Sequence, residues 1–124
     1  MFGHHDDPLY GVGWEGDEDR SDVKSVCGDY PAVMSFDLGH IELEREKSLD
    51  NVPFRKIRQA TINQYKRGGE VSFSWHLDNP LTGKDAWDVS DTTVVASILS
   101  GGVHHAKFIS WLDAVAAFMN TLET

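Results

Sequence analysis

The stretch EVSFSWHLDNP, residues 70–80, decides the fold that we predict for this chain. Polar and apolar side chains alternate with a period of two over residues 70–75, which predicts a β-strand. The strand has to stop before Pro80, because proline lacks a backbone N–H and disfavours helix at the preceding residue. An aromatic ring, an imidazole, a carboxylate and a carboxamide therefore follow a strand, as at the rim of an α/β-barrel active site. The alternative is a polar loop after a buried strand, with Trp75 in the core.

A strand and a helix precede this stretch. Residues 31–36 form an apolar run that ends in a polar cluster containing Asp37 and His40. Residues 50–53 resemble a helix start, with proline near the first helical position, and the glycines at 68–69 end the helix. The apolar residues that recur at helical spacing between them are Phe54, Ile57, Ile62 and Tyr65. Strand, helix and strand with short links predict a βαβ unit with a parallel pair of strands.

Further elements are predicted at both ends of the chain. Residues 1–3 read as the tail of another strand whose first residues lie outside this sequence. Asp91 is predicted to cap a short helix that runs through Leu99. Residues 108–122 carry apolar side chains at helical spacing, which predicts an amphipathic helix whose apolar stripe faces the core.

Composition limits the classes of function. The chain has 20 acidic and 11 basic residues and a net charge of -9, which argues against nucleic acid and anionic membrane surfaces as partners. The single cysteine, Cys27, excludes an internal disulfide framework and a Cys-rich metal site. The sequence contains no apolar run of membrane-spanning length and no signal-peptide pattern. We expect no cofactor. The 124 residues are few for an α/β barrel, which takes about 250.

Three histidines recur at an equal interval along the chain. They are His4, His40 and His76, and each follows an apolar extended run. Equal spacing predicts three successive βα units whose strand-end clusters converge on one rim of a larger barrel. A three-stranded piece of a barrel has two open sheet edges, so we also expect it to associate with copies of itself.

Several motifs that include these histidines occur in one order. They are FGHHDD at 2–7, YGVGW at 10–14, GDYPAV at 28–33, FDLGH at 36–40 and SWHLDNP at 74–80. In this order they resemble the N-terminal portion of glycoside hydrolase family 26, the β-mannanases, over nearly the whole chain. One departure is His5, where the family pattern has glutamine.

The resemblance implies a fold and an activity. Members of this family are secreted or periplasmic (β/α)8, or TIM, barrels that hydrolyse β-1,4-mannan with retention of configuration, using glutamates at the ends of the fourth and seventh strands. Residues 1–124 would then be the N-terminal part of the catalytic domain, its first three βα units. The acid/base glutamate of the family follows a histidine, and no His-Glu pair occurs here. We therefore expect both catalytic glutamates to lie outside this sequence, and we expect the 124-residue chain alone to be inactive.

The resemblance also implies a set of residues that bind β-mannan or manno-oligosaccharides. These residues are His76, Trp75, Asn79, Trp87, His40, Asp37 and His4. Histidine, aspartate and asparagine can hydrogen-bond sugar hydroxyls and hold a distorted ring, and tryptophan offers a flat face for stacking. The alternative for His4 and Asp37 is that they satisfy each other or nearby backbone groups.

Two other classes of protein remain open on the residues alone. A metal-dependent TIM-barrel hydrolase would use strand-end imidazoles and carboxylates as ligands, and zinc retained after dialysis would favour it. Its candidate ligands are His4, His5, Asp6, Asp7, His40 and His76. A carbohydrate-binding module would also use aromatic residues, but such modules are mostly β-sandwiches, and at least two helices are predicted here.

Overall fold

The computed structural model describes residues 2–17 and 19–122, which form an α/β fold. The strands are β1 (Gly3–His5), β2 (Tyr10–Gly11), β3 (Trp14–Glu15), β4 (Val33–Asp37) and β5 (Glu70–Ser74). The helices are α1 (Asp22–Cys27), α2 (Phe54–Lys66), α3 (Val94–Ile98) and α4 (His105–Asn120), and a 3-10 turn covers Ile41–Leu43.

A three-stranded parallel sheet organises these elements, in the order β1-β4-β5. Helix α2 connects β4 to β5, so the predicted βαβ unit with a parallel strand pair is confirmed. The register pairs Asp37, the last residue of β4, with Ser74, the last residue of β5. The carboxyl ends of these two strands therefore meet at the same edge of the sheet. Strands β2 and β3 form a separate antiparallel pair in the loop after β1.

The core lies between one face of this sheet and helices α2 and α4. Met34 and Phe36 of β4 have no exposed surface and pack in one cluster with Ile57 of α2 and Phe118 of α4. Phe73 of β5 meets Phe118 edge to face, with ring centroids 6.0 Å apart. Alternation in the strands and helical spacing in α2 thus converge on one apolar cluster.

The apolar stripes of the helices are less completely buried than their spacing predicts. Tyr65 of α2 is 69% exposed. In α4, Trp111 and Phe118 are buried, whereas Ile109 and Met119 are 41% and 42% exposed. A helix buries only the side that packs on a neighbour, and the described neighbours of α4 cover less than its apolar stripe. The prediction that the whole stripe faces the core is therefore wrong in part.

Two predicted element starts also differ from the structure. Thr93, not Asp91, occupies the position before the first residue of α3. The Asp91 carboxylate instead accepts hydrogen bonds from the Thr93 N–H at 2.7 Å and from its hydroxyl at 2.6 Å, which forms a turn ahead of the helix. The first strand begins at Gly3, and Met1 lies outside the described residues.

None of the described helices combines the length and the apolar composition that crossing a membrane requires.

We predict that Phe36→Ala destabilises the chain by ~3–5 kcal/mol, because it deletes a ring from a fully buried position and leaves a cavity. The measurement is equilibrium unfolding in urea. Tyr65→Ala is the control, since it removes a ring that is 69% exposed from the helix that covers Phe36. Equal losses of unfolding free energy in the two variants would contradict this assignment of the core.

Candidate functional site

A cleft of about 260 Å³ lies where the carboxyl ends of β1, β4 and β5 meet. Its lining residues are His5, Tyr10, Asp37, His40, Leu49, Asp50, His76, Asp78, Asp85, Ala86 and Trp87. A larger groove of about 710 Å³ runs beside α2, but none of the predicted site residues lines it. Ligands of parallel α/β sheets bind at the carboxyl ends of the strands. We therefore place the candidate site in the smaller cleft.

Asp37 lines this cleft and forms hydrogen bonds to several residues around it. Its side chain is 2% exposed, and one oxygen accepts hydrogen bonds from the Ser74 hydroxyl at 2.6 Å and from His76 Nδ1 at 2.5 Å. The other oxygen accepts from the Gly39 N–H at 2.7 Å. Burial raises the pKa of Asp37, but the hydrogen bonds from Ser74, Gly39 and His76 outweigh it and lower the pKa below 3.8. Asp37 is thus an ionised carboxylate that joins β4, β5 and His76.

Gly39 lets these groups approach one another. A Cβ atom at this position would lie 2.8 Å from the His76 carbonyl oxygen and 2.9 Å from Asp37 Oδ1. Both distances are shorter than a contact between a carbon and an oxygen atom allows, and the His76 carbonyl belongs to the backbone, which cannot easily move away. Only glycine therefore allows the turn after β4 to pack against the segment after β5.

His76 presents one side of its ring to the cleft. Because the Asp37 carboxylate can only accept, Nδ1 carries the proton and Nε2 stays available to a ligand. The His76 side chain is 53% exposed. The indole of Trp87 lies nearly parallel to it, with ring centroids 6.3 Å apart and an angle of 23°, and Trp87 is 81% exposed. The structure thus brings His76 and Trp87 together as one open aromatic surface.

Asn79 holds the loop that carries Trp87. Its side-chain oxygen accepts from the backbone N–H of Leu81 and of Thr82, and its amide donates to the Asp88 carbonyl at 3.1 Å. Asn79 is 7% exposed and does not line the cleft. The loop itself thus uses the hydrogen-bonding atoms of Asn79, and the predicted contact of Asn79 with sugar stays a prediction.

Trp75 is also a supporting residue. Its indole N–H donates to Glu42 at 2.9 Å, and its ring stacks on Phe108 of α4 at 6.2 Å and 14°. Trp75 packs against the hydrophobic core and does not line the cleft. The packing supports the core interpretation of Trp75, and its predicted contact with sugar stays a prediction.

The register of β1 puts His5, not His4, into the cleft. His4 pairs with Met34 and His5 with Ser35, so the two imidazoles leave the strand on opposite faces. His4 Nδ1 lies 3.6 Å from a carboxylate oxygen of buried Asp7. The predicted convergence of three equally spaced histidines on one rim therefore fails for His4.

His40 and Asp37 both line the cleft, as expected, but in different ways. His40 is partly exposed, and its Nδ1 lies 3.4 Å from a guanidinium nitrogen of Arg45. Asp37 is too deeply buried to reach a ligand in solution, so it orients His76 instead. His4 and Asp37 do not bond each other, but the alternative is correct in part, because the backbone N–H of Gly39 donates to Asp37 beside the side chains of Ser74 and His76.

The six predicted metal ligands do not assemble into one group. Among the described residues, His5, Asp6 and Asp50 bring potential ligand atoms within 4.8 Å of one another. One Asp6 oxygen already accepts from the Tyr10 hydroxyl and lies 3.0 Å from His5 Nε2. Burial raises the pKa of Asp6, and the nearby carboxylates of Asp50 and Asp37 raise it further, whereas His5 and Tyr10 lower it. Tyr10 and His5 therefore already occupy one oxygen of Asp6.

Sequence reasoning missed several residues of the site. They are Tyr10, Asp50 and Asp85, which line the cleft, and Glu42, which bonds Trp75; the sequence suggests His5 only as a metal ligand, and it places Asp78 at the strand end without a role in binding. Strand alternation puts His4 and His5 on opposite faces, but the register with β4 is needed to decide which of them enters the cleft. The others lie in short strands, turns and loops, where no periodicity indicates the direction of a side chain.

Comparisons with known proteins agree with this architecture. The sequence model of Glycosyl hydrolase family 26 matches residues 1–124. A mannan endo-1,4-beta-mannosidase from Bifidobacterium adolescentis is 37% identical over 103 residues, covering 79% of this chain and 10% of that protein. A GH26 beta-mannanase structure from Bacteroides ovatus matches with a TM-score of 0.98 and 60% identity, covering 100% of this chain and 36% of that chain.

A further solved structure is an endo-beta-1,4-mannanase from Cellulomonas fimi, a double mutant. It matches with a TM-score of 0.75 and 30% identity, covering 99% of this chain and 28% of that chain. The chain studied here thus spans 36% or less of each of these relatives.

We predict that Asp37→Asn lowers the free energy of unfolding by ~1–3 kcal/mol at neutral pH. The NH2 group of the asparagine cannot accept a hydrogen bond, so it would face N–H or O–H donors that Asp37 now accepts from. The pKa of Asp37 is lower in the folded chain than its ordinary 3.8. Ionisation of Asp37 therefore stabilises the fold fully above that value, and this contribution is lost as the pH falls through the folded pKa.

Urea unfolding of wild type and variant over a pH series tests this. The difference between them should be largest above about pH 4 and shrink below it. Asp113→Asn, on the exposed side of α4, is the control and leaves the Asp37 hydrogen bonds intact. A difference that stays constant over the pH series would contradict the assignment.

Proposed function

Because the chain belongs to glycosyl hydrolase family 26, we propose that it forms the N-terminal part of an endo-1,4-β-mannanase. Residues 1–124 would supply the first three βα units of a (β/α)8 catalytic domain, secreted or periplasmic in the cell. The substrates would be the β-1,4-linked backbones of mannan, galactomannan or glucomannan, hydrolysed with retention of configuration. Its part in the enzyme is to bind sugar at the rim of the barrel.

The open pair of His76 and Trp87 is the observation that carries this proposal. A pyranose ring has apolar C–H faces that can lie on an exposed indole, and Trp87 is 81% exposed at the edge of the cleft. Next to that surface, His76 offers Nε2 to a hydroxyl while Asp37 holds the other nitrogen. A flat apolar surface beside a fixed hydrogen-bonding group can contact both the C–H face of a sugar ring and the hydroxyls at its edge.

The charge of the cleft favours an uncharged ligand. Asp50, Asp78 and Asp85 line it, and among the described residues no lysine or arginine does. An anionic polysaccharide would meet like charges at close range without a compensating cation. Mannans, galactomannans and glucomannans carry no charge, which is compatible with these carboxylates.

The catalytic step needs groups beyond this chain. Retaining hydrolysis uses an acid/base carboxyl and a nucleophilic carboxylate ~5–5.5 Å apart. In the family both are glutamates, at the ends of the fourth and seventh barrel strands. Of the buried carboxylates in this region, Asp37 and Glu42 are occupied by hydrogen bonds within the chain. We therefore assign sugar binding, and not bond cleavage, to residues 1–124.

The experiment compares binding with hydrolysis. We expect the purified 124-residue chain to bind mannohexaose, measured by calorimetry, and to release no reducing sugar from β-mannan. Trp87→Ala should weaken binding by roughly 3–10-fold, because it removes the stacking surface. Tyr65→Ala is the control, since Tyr65 is another largely exposed ring, on α2, that does not line the cleft.

Two results would overturn the proposal. Mannan hydrolysis by the chain alone would place a carboxylate pair among its own residues, such as Asp37, Glu42, Glu44 and Asp78. Absence of mannohexaose binding, or an equal effect of both variants, would remove the sugar site.

We also propose that the chain associates with itself. Among the described residues, β1 and β5 each have one edge without a partner strand, and such edges can pair with another chain. Light scattering after size exclusion should give a mass above the 13.9 kDa of one chain, falling on dilution. A single 13.9 kDa species with cooperative unfolding would contradict this.

A further inference from the structure

Glu42 is a buried carboxylate with two partners on one distant segment. It lies in the 3-10 turn Ile41–Leu43 and is 5% exposed. One oxygen accepts from the Trp75 indole N–H at 2.9 Å, and the other accepts from the Asp78 backbone N–H at 2.9 Å. These partners are 33 and 36 residues away in the sequence. They lie on either side of His76.

We propose that Glu42 is a positioning residue that fixes the path of residues 75–78 and thereby sets the direction of His76 in the cleft. The inference rests on the proposed function, because it concerns the geometry of that sugar site. Both Glu42 oxygens are occupied within the chain, so Glu42 acts through its partners and does not touch the ligand. Hydrogen bonds to a buried carboxylate are short and strong, which makes them suited to holding a loop.

Two carboxylates, Asp37 and Glu42, hold different parts of the segment around His76. Asp37 binds the His76 imidazole and sits at the end of the strand pair. Glu42 binds the residue before His76 and the second residue after it. Asp37 alone would leave the backbone beyond His76 free to turn away. With both in place, the segment is held at three points, and His76 has one orientation.

Phe108 provides a second contact that holds the Trp75 side chain. The Trp75 ring stacks on Phe108 of α4, while its N–H points to Glu42. The indole can therefore neither rotate nor withdraw without losing a hydrogen bond to a buried carboxylate. This also explains why a residue adjacent to His76 is held away from the ligand.

The test uses Glu42→Gln, which keeps the size of the side chain. The two donors point at different oxygens of Glu42, so in the glutamine side chain one donor meets the amide oxygen and the other meets the NH2 group, which cannot accept. We expect mannohexaose affinity to fall roughly tenfold. Glu44→Gln is the matched control, because Glu44 is exposed and lies two residues further along the chain. It should bind like the wild type.

A second readout does not depend on sugar. In NMR spectra of the ligand-free chain, Glu42→Gln should shift the Trp75 indole N–H resonance and the ring resonances of His76, and Glu44→Gln should shift neither. If the wild type fails to bind mannohexaose, the proposed function falls, and these spectra still decide the role of Glu42. Unchanged His76 ring resonances and affinity in a folded Glu42→Gln chain would overturn the inference.

A further variant covers the case in which Glu42→Gln does not fold. Trp75→Phe retains a ring against Phe108 and removes only the N–H that Glu42 accepts. We expect it, like Glu42→Gln, to shift the ring resonances of His76 and to weaken mannohexaose binding. A folded Trp75→Phe chain with the His76 ring resonances and the affinity of the wild type would overturn the inference as well.

Discussion

The burial of one carboxylate, Asp37, is the constraint on which the rest of the site depends. A buried charge is stable only when several donors surround it. Here the donors come from three places: the turn after β4, the last residue of β5 and the imidazole that follows β5. The requirement to satisfy Asp37 therefore joins the strand pair to the cleft. The parallel register that pairs Asp37 with Ser74 is what brings those donors together.

A second buried carboxylate, Glu42, makes similar contacts from the 3-10 turn after β4. Glu42 has no strand partner, yet it also collects donors from the segment after β5. The two carboxylates come from the segment at and after the end of β4, and both bind the segment at and after the end of β5. A short parallel strand pair is thereby extended into a loop region of defined shape. The exposed ring of His76 depends on these interactions, whereas Trp87 lies on the loop that Asn79 holds.

The sequence predicts the βαβ unit and two of the exposed site residues, and physical reasons limit the rest. Period-two alternation and a helical stripe determine β4, α2 and β5, because burial on one face imposes both patterns. His76 is predicted because polar residues follow directly on a strand, whereas Trp87 is predicted only through the family resemblance.

Side-chain direction in the site is harder to predict. His4 and His5 are equivalent in sequence, and only the register with Met34 and Ser35 separates them. Asn79 and Trp75 have the right chemistry for sugar, but hydrogen bonds within the chain occupy them. The partners of Glu42 lie more than 30 residues away, and no local pattern encodes a contact over that separation. The family resemblance adds what the residues alone do not carry, namely the substrate.

The Asn79 turn has a consequence for the kinetics of recognition. Its carboxamide bonds three backbone groups, and the Asn79 N–H donates to the Lys84 carbonyl, so the loop that bears Trp87 is closed on itself. A loop that is ordered before a ligand arrives loses little conformational entropy on binding. Association should then resemble docking onto a rigid surface, without a slow rearrangement step, and differences between related sugars should appear mainly in how fast each one leaves.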